Sequence, residues 1–110
     1  MTEEANVGEY GQLLRLNVSE DISAAVITLE IAPPNSISIL KLAADGVTVP
    51  VTPASIDEST EFQPNEYAEY LVEAGVLDGT AGTWRVRLIA QWTSPNKLLK
   101  TDWEKFTVSP

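Results

Sequence analysis

The chain has 110 residues, with sixteen Asp and Glu against seven Lys and Arg, a formal net charge of −9, and neither Cys nor His. That length suits one domain able to bury its own core. The missing Cys excludes disulfides, thiolate nucleophiles and zinc–thiolate sites, and the missing His removes the commonest general base and transition-metal ligand. A few basic residues scattered among many acids do not build a duplex-binding or anionic-membrane surface, so neither nucleic acid nor membrane is expected as a partner. No apolar run approaches the ~20 residues that span a bilayer. The opening Met1-Thr2-Glu3-Glu4 is acidic and unlike a secretory signal, so the protein is expected not to be secreted.

Taken in chain order, 1–7 read as a polar, flexible N-terminal arm, and 8–110 as the single domain. The first strand spans 12–18, with Leu14, Leu16 and Val18 on one face and Arg15 and Asn17 on the other. The second spans 25–32, with Ile27, Leu29 and Ile31 inward and Thr28 and Glu30 outward, and Pro33-Pro34 stops it. A third spans 38–42. Asp45-Gly46 then signals a hairpin into a short fourth strand over 47–51, which Pro50 marks as an edge.

The stretch 52–63 reads as a long contact loop with at most one short strand. Residues 66–76 fit two patterns. As a strand, Ala68, Tyr70 and Val72 oppose Tyr67, Glu69 and Leu71; as a helix, Tyr67, Tyr70, Leu71 and Ala74 share a stripe that Gly75 stops. The Gly-rich corner that follows favours a strand over 67–72, with one short helix or helical turn within 66–77. The clearest element is 83–92, with Trp84, Val86, Leu88, Ala90 and Trp92 inward and Arg85, Arg87 and Gln91 outward. A last strand over 99–108 puts Phe106 and Val108 on one face and Trp103 and Lys105 on the other. Short strands at this spacing predict an all-β fold, an antiparallel sandwich of about seven strands.

Tyr70 and Val72, then Leu77, then Ala81-Gly82-Thr83-Trp84, and finally Phe106-Thr107-Val108, form an ordered set over a chain span of 12–108. In that order they resemble the immunoglobulin-like domain of tailed-bacteriophage virion proteins, such as the N-terminal domain of siphophage baseplate upper proteins. The resemblance implies an immunoglobulin-like sandwich with Trp84, Leu77, Tyr70, Val72 and Phe106 as core anchors. It also implies a non-enzymatic structural role within the virion, built from protein made in the host cytoplasm. The expected partners are other phage proteins of the capsid, neck, tail or baseplate, with capsid cement or decoration slightly ahead, and many copies or a homo-oligomer in the assembly. The alternative is a carbohydrate-binding module using Tyr67, Trp92 or Trp103 as stacking platforms, or a small subunit of a larger complex, regulatory or enzymatic.

No Ser-His-Asp set, nucleophile elbow or phosphate-cradling loop occurs, so no catalytic residue and no cofactor is assigned. Asp57, Glu58 and Glu61 are oxygen donors of the kind Ca²⁺ takes, but their spacing is not that of an EF-hand, and a solvated acidic loop is the expectation, with no metal. The interface candidates are Trp103, Arg85, Arg87, Asp57, Glu58 and Glu61. Trp103 leads them, because its parity with Phe106 points it outward and Trp is enriched at interface hot spots, unless a bulge flips it into the core. Arg85 and Arg87 either dock an acidic partner or pair across strands with Glu69 or Glu104.

Overall fold

A computed structural model describes residues 4–110. The described chain is an all-β sandwich built from ten strands and one 3-10 turn: β1 Glu4–Asn6, β2 Leu13–Asn17, β3 Val26–Ala32, β4 Ile39–Lys41, β5 Ala54–Ser55, β6 Glu61–Phe62, β7 Tyr67–Leu71, β8 Gly82–Thr93, β9 Asn96–Lys100 and β10 Glu104–Ser109. The larger sheet runs β1-β10-β8-β3-β4, and β9 also pairs with β8. The facing layer is the β2–β7 pair, extended by a bridge from Thr48 to Glu69, and β5–β6 form a small separate hairpin.

Period-two alternation sets both layers. From the large sheet, Ile27, Leu29, Ile31, Trp84, Val86, Leu88, Ala90, Phe106 and Val108 face inward; from the small one, Leu14, Leu16, Ala68, Tyr70 and Val72 meet them. Ile22, Val47, Val76 and Leu77 close the ends. Trp84 is wholly buried, 6.1 Å from the Phe106 ring, and its indole N–H donates to the Thr80 carbonyl at 2.8 Å. That bond makes a deep Trp tolerable, because the one polar atom of the ring is satisfied. Gly82 holds φ at +139° with Pro34 Cγ 3.3 Å from where a Cβ would stand, so the corner before Trp84 requires glycine.

Several expectations change. The N-terminal segment is not a free arm over its described part: β1 pairs in parallel with β10, and Ala5 is buried. The open edge of β10 offers backbone partners, and a small Ala side chain fits beside Val108; a three-residue strand has no alternation to read. Residues 1–3 of the expected arm lie outside the described residues. Asp45-Gly46 does not close a hairpin. Leu42 N–H donates to Asp45 Oδ2 at 2.9 Å, a 3-10 turn spans Ala43–Asp45, and the chain crosses to the other layer, where Thr48 meets Glu69. The contact loop contains two short strands, β5 and β6, folded back over β7. The stretch 66–76, by contrast, follows expectation: strand β7 and then a turn at 74–77, with Val76 N–H donating to the Glu73 carbonyl at 3.3 Å.

The last expected strand is two. Leu99 lies opposite Ala90, and Phe106 opposite Trp84. Seven steps along one side therefore match six along the other, so one residue is extra between Thr101 and Glu104. Asp102 and Trp103 together face Arg87, a β-bulge. Thr101 stitches the break: its N–H donates to the Leu88 carbonyl at 3.0 Å, and its Oγ1 accepts from Leu88 N–H at 2.9 Å.

Two substitutions test this core. Trp84→Ala is expected to lower unfolding free energy by about 3–5 kcal/mol in chemical denaturation. Tyr70 Oη is buried with no hydrogen-bond partner among the described residues. Tyr70→Phe is therefore expected to raise stability by about 1 kcal/mol, by removing an unsatisfied polar atom; a loss of that size would mean the hydroxyl is bonded.

Candidate interaction surface

The outward face of the larger sheet collects the chain's basic residues. Arg85, Arg87 and Ile89 of β8 alternate with buried neighbours and so point away from the core. Lys105 lies opposite Arg85, Lys100 opposite Ile89, and Glu30 opposite Arg87. Four of the seven Lys and Arg thus share one face of a chain whose net charge is −9. Apolar side chains border them: Leu40 beside Glu30, and Val26 and Leu98 on either side of the polar Gln91. Val26, Leu40 and Leu98 are all more than half exposed.

Trp103 lies at the centre of this face. Its ring centroid is 4.3 Å from the Arg87 guanidinium carbon and 4.8 Å from that of Arg85. The bulge does not turn Trp103 into the core; it seats the half-buried ring against two outward guanidiniums. Such contacts stabilise by about 0.5–1 kcal/mol each at exposed sites and hold the arginines extended over the sheet. Arg87 is fixed from its other side by Glu30, whose Oε1 lies 2.8 Å from both Nε and Nη2.

Partial burial pushes the Glu30 carboxyl up. The hydrogen bonds from Arg87 and Ser38 and the charges of Arg87 and Lys100 outweigh it, so the group titrates below its ordinary value. Among the described residues, Arg87 is the one cation of this face with a carboxylate in ion-pair range. Lys105 directly opposite Arg85 is a like-charged cross-strand pair, which works against sheet stability.

The arginine pairing differs from expectation. Arg87 pairs with Glu30 rather than Glu69 or Glu104, and Glu69 pairs with Arg15 at 2.8 Å in the other layer. The reason is register: Arg15 stands opposite Glu69, and Glu30 opposite Arg87. Glu104 stands opposite the inward Val86. Glu30 and Lys100 were absent from the expected site residues. Their signals were the outward parity of Glu30 and the short hairpin that folds β9 back on β8.

Asp57, Glu58 and Glu61 are exposed on the β5–β6 hairpin, far along the chain from the arginines. Asp57 Oδ1 accepts from Ser59 N–H at 2.8 Å and from Ser59 Oγ at 3.1 Å. Those two bonds, the backbone one first, hold its carboxyl below the ordinary carboxylate range. Among the described residues no three His, Cys, Asp or Glu gather in a way that would hold a metal ion.

The core anchors Trp84, Leu77, Tyr70, Val72 and Phe106 all lie in the core. Of the three aromatic platforms of the glycan reading, one is buried and Trp92 and Trp103 are half-buried. Tyr67 is buried against Phe62 and donates its hydroxyl to the Thr52 carbonyl. Trp92 packs on the core edge with Lys97 Nζ 4.7 Å above its ring. A cleft of about 200 Å³ lies between β2 and the bulge, lined by Leu16, Asn17, Thr101, Asp102 and Glu104. It is smaller than the roughly 300–1,000 Å³ of typical small-molecule sites.

No protein-family model, curated protein or solved structure matches the chain. The surface must therefore be interpreted from its own chemistry.

Glu30 supplies a direct test. A folded-state pKa held below the unfolded value stabilises the fold above the unfolded pKa, about 4.3 for Glu, and that gain disappears as pH falls through the folded value. Glu30→Gln is expected to cost about 0.2–1 kcal/mol near pH 7. Urea titrations at decreasing pH should show the gap from wild type closing once the carboxyl protonates. A gap independent of pH would show that the charge of Glu30 is not what matters.

Proposed function

We propose that this protein is a non-enzymatic structural component of a bacteriophage virion, present in multiple copies and binding other virion proteins through its surface. The observation that carries the binding part is the basic, aromatic sheet face in an otherwise acidic chain. Cations gathered opposite one another oppose folding stability, and a Trp held half-open between them adds apolar area at their centre. Such a face suits an acidic protein surface: charge complementarity speeds encounter and fixes register, and buried aromatic area supplies the anchor. The virion setting rests on the ordered resemblance of Tyr70, Val72, Leu77, the Ala81-Gly82-Thr83-Trp84 corner and Phe106-Thr107-Val108. Capsid cement or decoration is slightly favoured over neck, tail or baseplate attachment, and avidity from many copies offsets modest affinity at each contact.

The test is incorporation. In purified native particles, quantitative mass spectrometry should find the chain in a fixed multiple-copy ratio to the major structural proteins. A Trp103→Ala/Arg85→Glu double variant, folded by circular dichroism, should be depleted at least about tenfold, the scale of one lost hot-spot contact. Absence of the chain from particles would sink the virion reading. Undiminished incorporation of the variant would sink the role of this face.

A further inference from the structure

Charge in this protein is divided between the two sides of the sandwich. Between Lys41 and Arg85 the sequence contains eight Asp and Glu and no Lys or Arg. The β5–β6 hairpin belongs to that acidic stretch, and its place is fixed. Tyr67 stands opposite the exposed Asn17 and thus on the outer side of the β2–β7 layer. Phe62 of β6 packs on the Tyr67 ring at 5.7 Å, and the Tyr67 hydroxyl bonds the Thr52 carbonyl just before β5. The hairpin therefore rides on the outside of the small layer, while Arg85, Arg87, Lys100 and Lys105 occupy the outside of the large one.

The two outer surfaces match in kind. The hairpin presents Asp57, Glu58 and Glu61, with Ile56 and Val51 exposed nearby. The sheet presents its basic residues and Trp103, with Leu40, Val26 and Leu98 exposed around them. The hairpin tip is shaped before any partner arrives: Ile56 N–H donates to the Thr60 carbonyl at 2.9 Å, and Asp57 caps the turn through Ser59. Little ordering remains to be done on contact, which favours binding by a short loop. Because the two surfaces lie on opposite sides of the fold, one molecule cannot satisfy both within itself.

We propose that the occupant of the basic sheet face is the acidic β5–β6 hairpin of a second copy of this chain, in a head-to-tail contact. This deepens the proposed function and rests on its assignment of the sheet face as a docking surface. A contact of this kind is heterologous: each copy offers a hairpin to one neighbour and a sheet face to the other. Repetition closes into a ring or extends as a stack, as its rotation dictates. Each copy also repels the next through its net charge of −9. Salt near 0.1–0.15 M screens that repulsion beyond about 8–10 Å and leaves pairs at contact distance, whereas 1 M salt, with a screening length of about 3 Å, weakens the contacts themselves. Association is thus strongest at intermediate ionic strength.

Sedimentation velocity on the full chain tests this, from micromolar up to roughly 1 mM, the weak end of specific affinities. Wild type should sediment faster with concentration in moderate salt and return toward monomer in 1 M salt. Two charge-reversed variants, Asp57→Lys/Glu58→Lys on the hairpin and Arg85→Glu/Lys105→Glu on the sheet, should each be monomeric. All four positions are exposed, and Glu30–Arg87 is left intact, so circular dichroism and melting temperature should be close to wild type. Mixed in equal amounts the two variants should associate again, because a basic hairpin then meets an acidic face and an acidic hairpin a basic one. A wild type that stays monomeric throughout the range overturns the proposal, as does association that survives either reversal. If wild type is monomeric while particle incorporation still depends on Arg85 and Trp103, the second-copy assignment fails and the docking face stands.

Discussion

Strand β8 must be hydrogen-bonded along both edges, and the rest of the sheet follows from that requirement. It is twelve residues long, and its inward side chains include the wholly buried Trp84, Val86 and Leu88. Buried backbone groups on such a strand need partners on each side. β3 supplies one edge through seven paired residues. The other edge is supplied in two parts, β9 and β10, with Thr101 bonding both backbone groups of Leu88 at the join. The bulge reconciles two demands of parity. Leu99 must face inward beside Ala90, and Phe106 inward beside Trp84; with an odd separation along their own chain, unbroken alternation would send one of them to solvent. The added residue places both correctly, and it leaves Trp103 against Arg85 and Arg87. The surface that we assign to binding is thus a direct product of how the core solves its register.

The electrostatics follow the same division between inside and outside. No polar or charged residue is fully buried among the described residues, so core stability owes nothing to ionisation. Charge is free to be distributed by other needs, and it is distributed unevenly. Arg15–Glu69 and Arg87–Glu30 are cross-strand neighbours of opposite sign, the arrangement that helps a sheet. Arg85 opposite Lys105 is the reverse arrangement, on the same face and one row away. A surface tuned for folding alone would place an acid at one of those positions, in a chain that has acids in excess. Trp103 softens the conflict by offering the face of its ring to Arg85, but that contact also keeps the guanidinium extended over the sheet.

The elements that alternate strictly were legible from sequence, because one rule governed them. β2, β3 and β8 each bury one face, so period two identified the strands and their inward sides together; β7, which buries Tyr67 as well as Ala68 and Tyr70, fitted a helix equally and was read as a strand from the Gly-rich corner after it. The parts that escaped were set by contacts distant in sequence. β1 is a strand because β10 leaves an edge open and Ala5 is small enough to sit there; nothing within Glu4–Asn6 announces it. Asp45-Gly46 signals a turn correctly, yet the turn serves a crossing between layers, and dipeptide chemistry does not distinguish the two uses. Arg87 was assigned to the outer face from parity, but its partner depends on the β3–β8 register, which no local pattern fixes. The binding surface was accordingly half readable: its outward side chains followed from alternation, while the bulge and the gathering of Lys100 and Lys105 around the arginines required the hairpin geometry.

Fold and function draw on separate residues in this protein. Tyr70, Val72, Leu77, Trp84, Phe106 and Val108, among the residues on which the proposed virion setting rests, are all core. Residues of that kind specify a sandwich, and a sandwich serves many roles. What distinguishes this one from a generic scaffold lies on its outer faces, where folding places few demands. There the chain keeps a like-charged pair, a Trp held half-open and, at the tip of the β5–β6 hairpin, capped carboxylates that its own core does not require. Features that are neutral or unfavourable for an isolated domain make physical sense when the domain has neighbours. Many identical contacts of this weak, polar kind would hold an assembly together while each remains reversible enough to find its register.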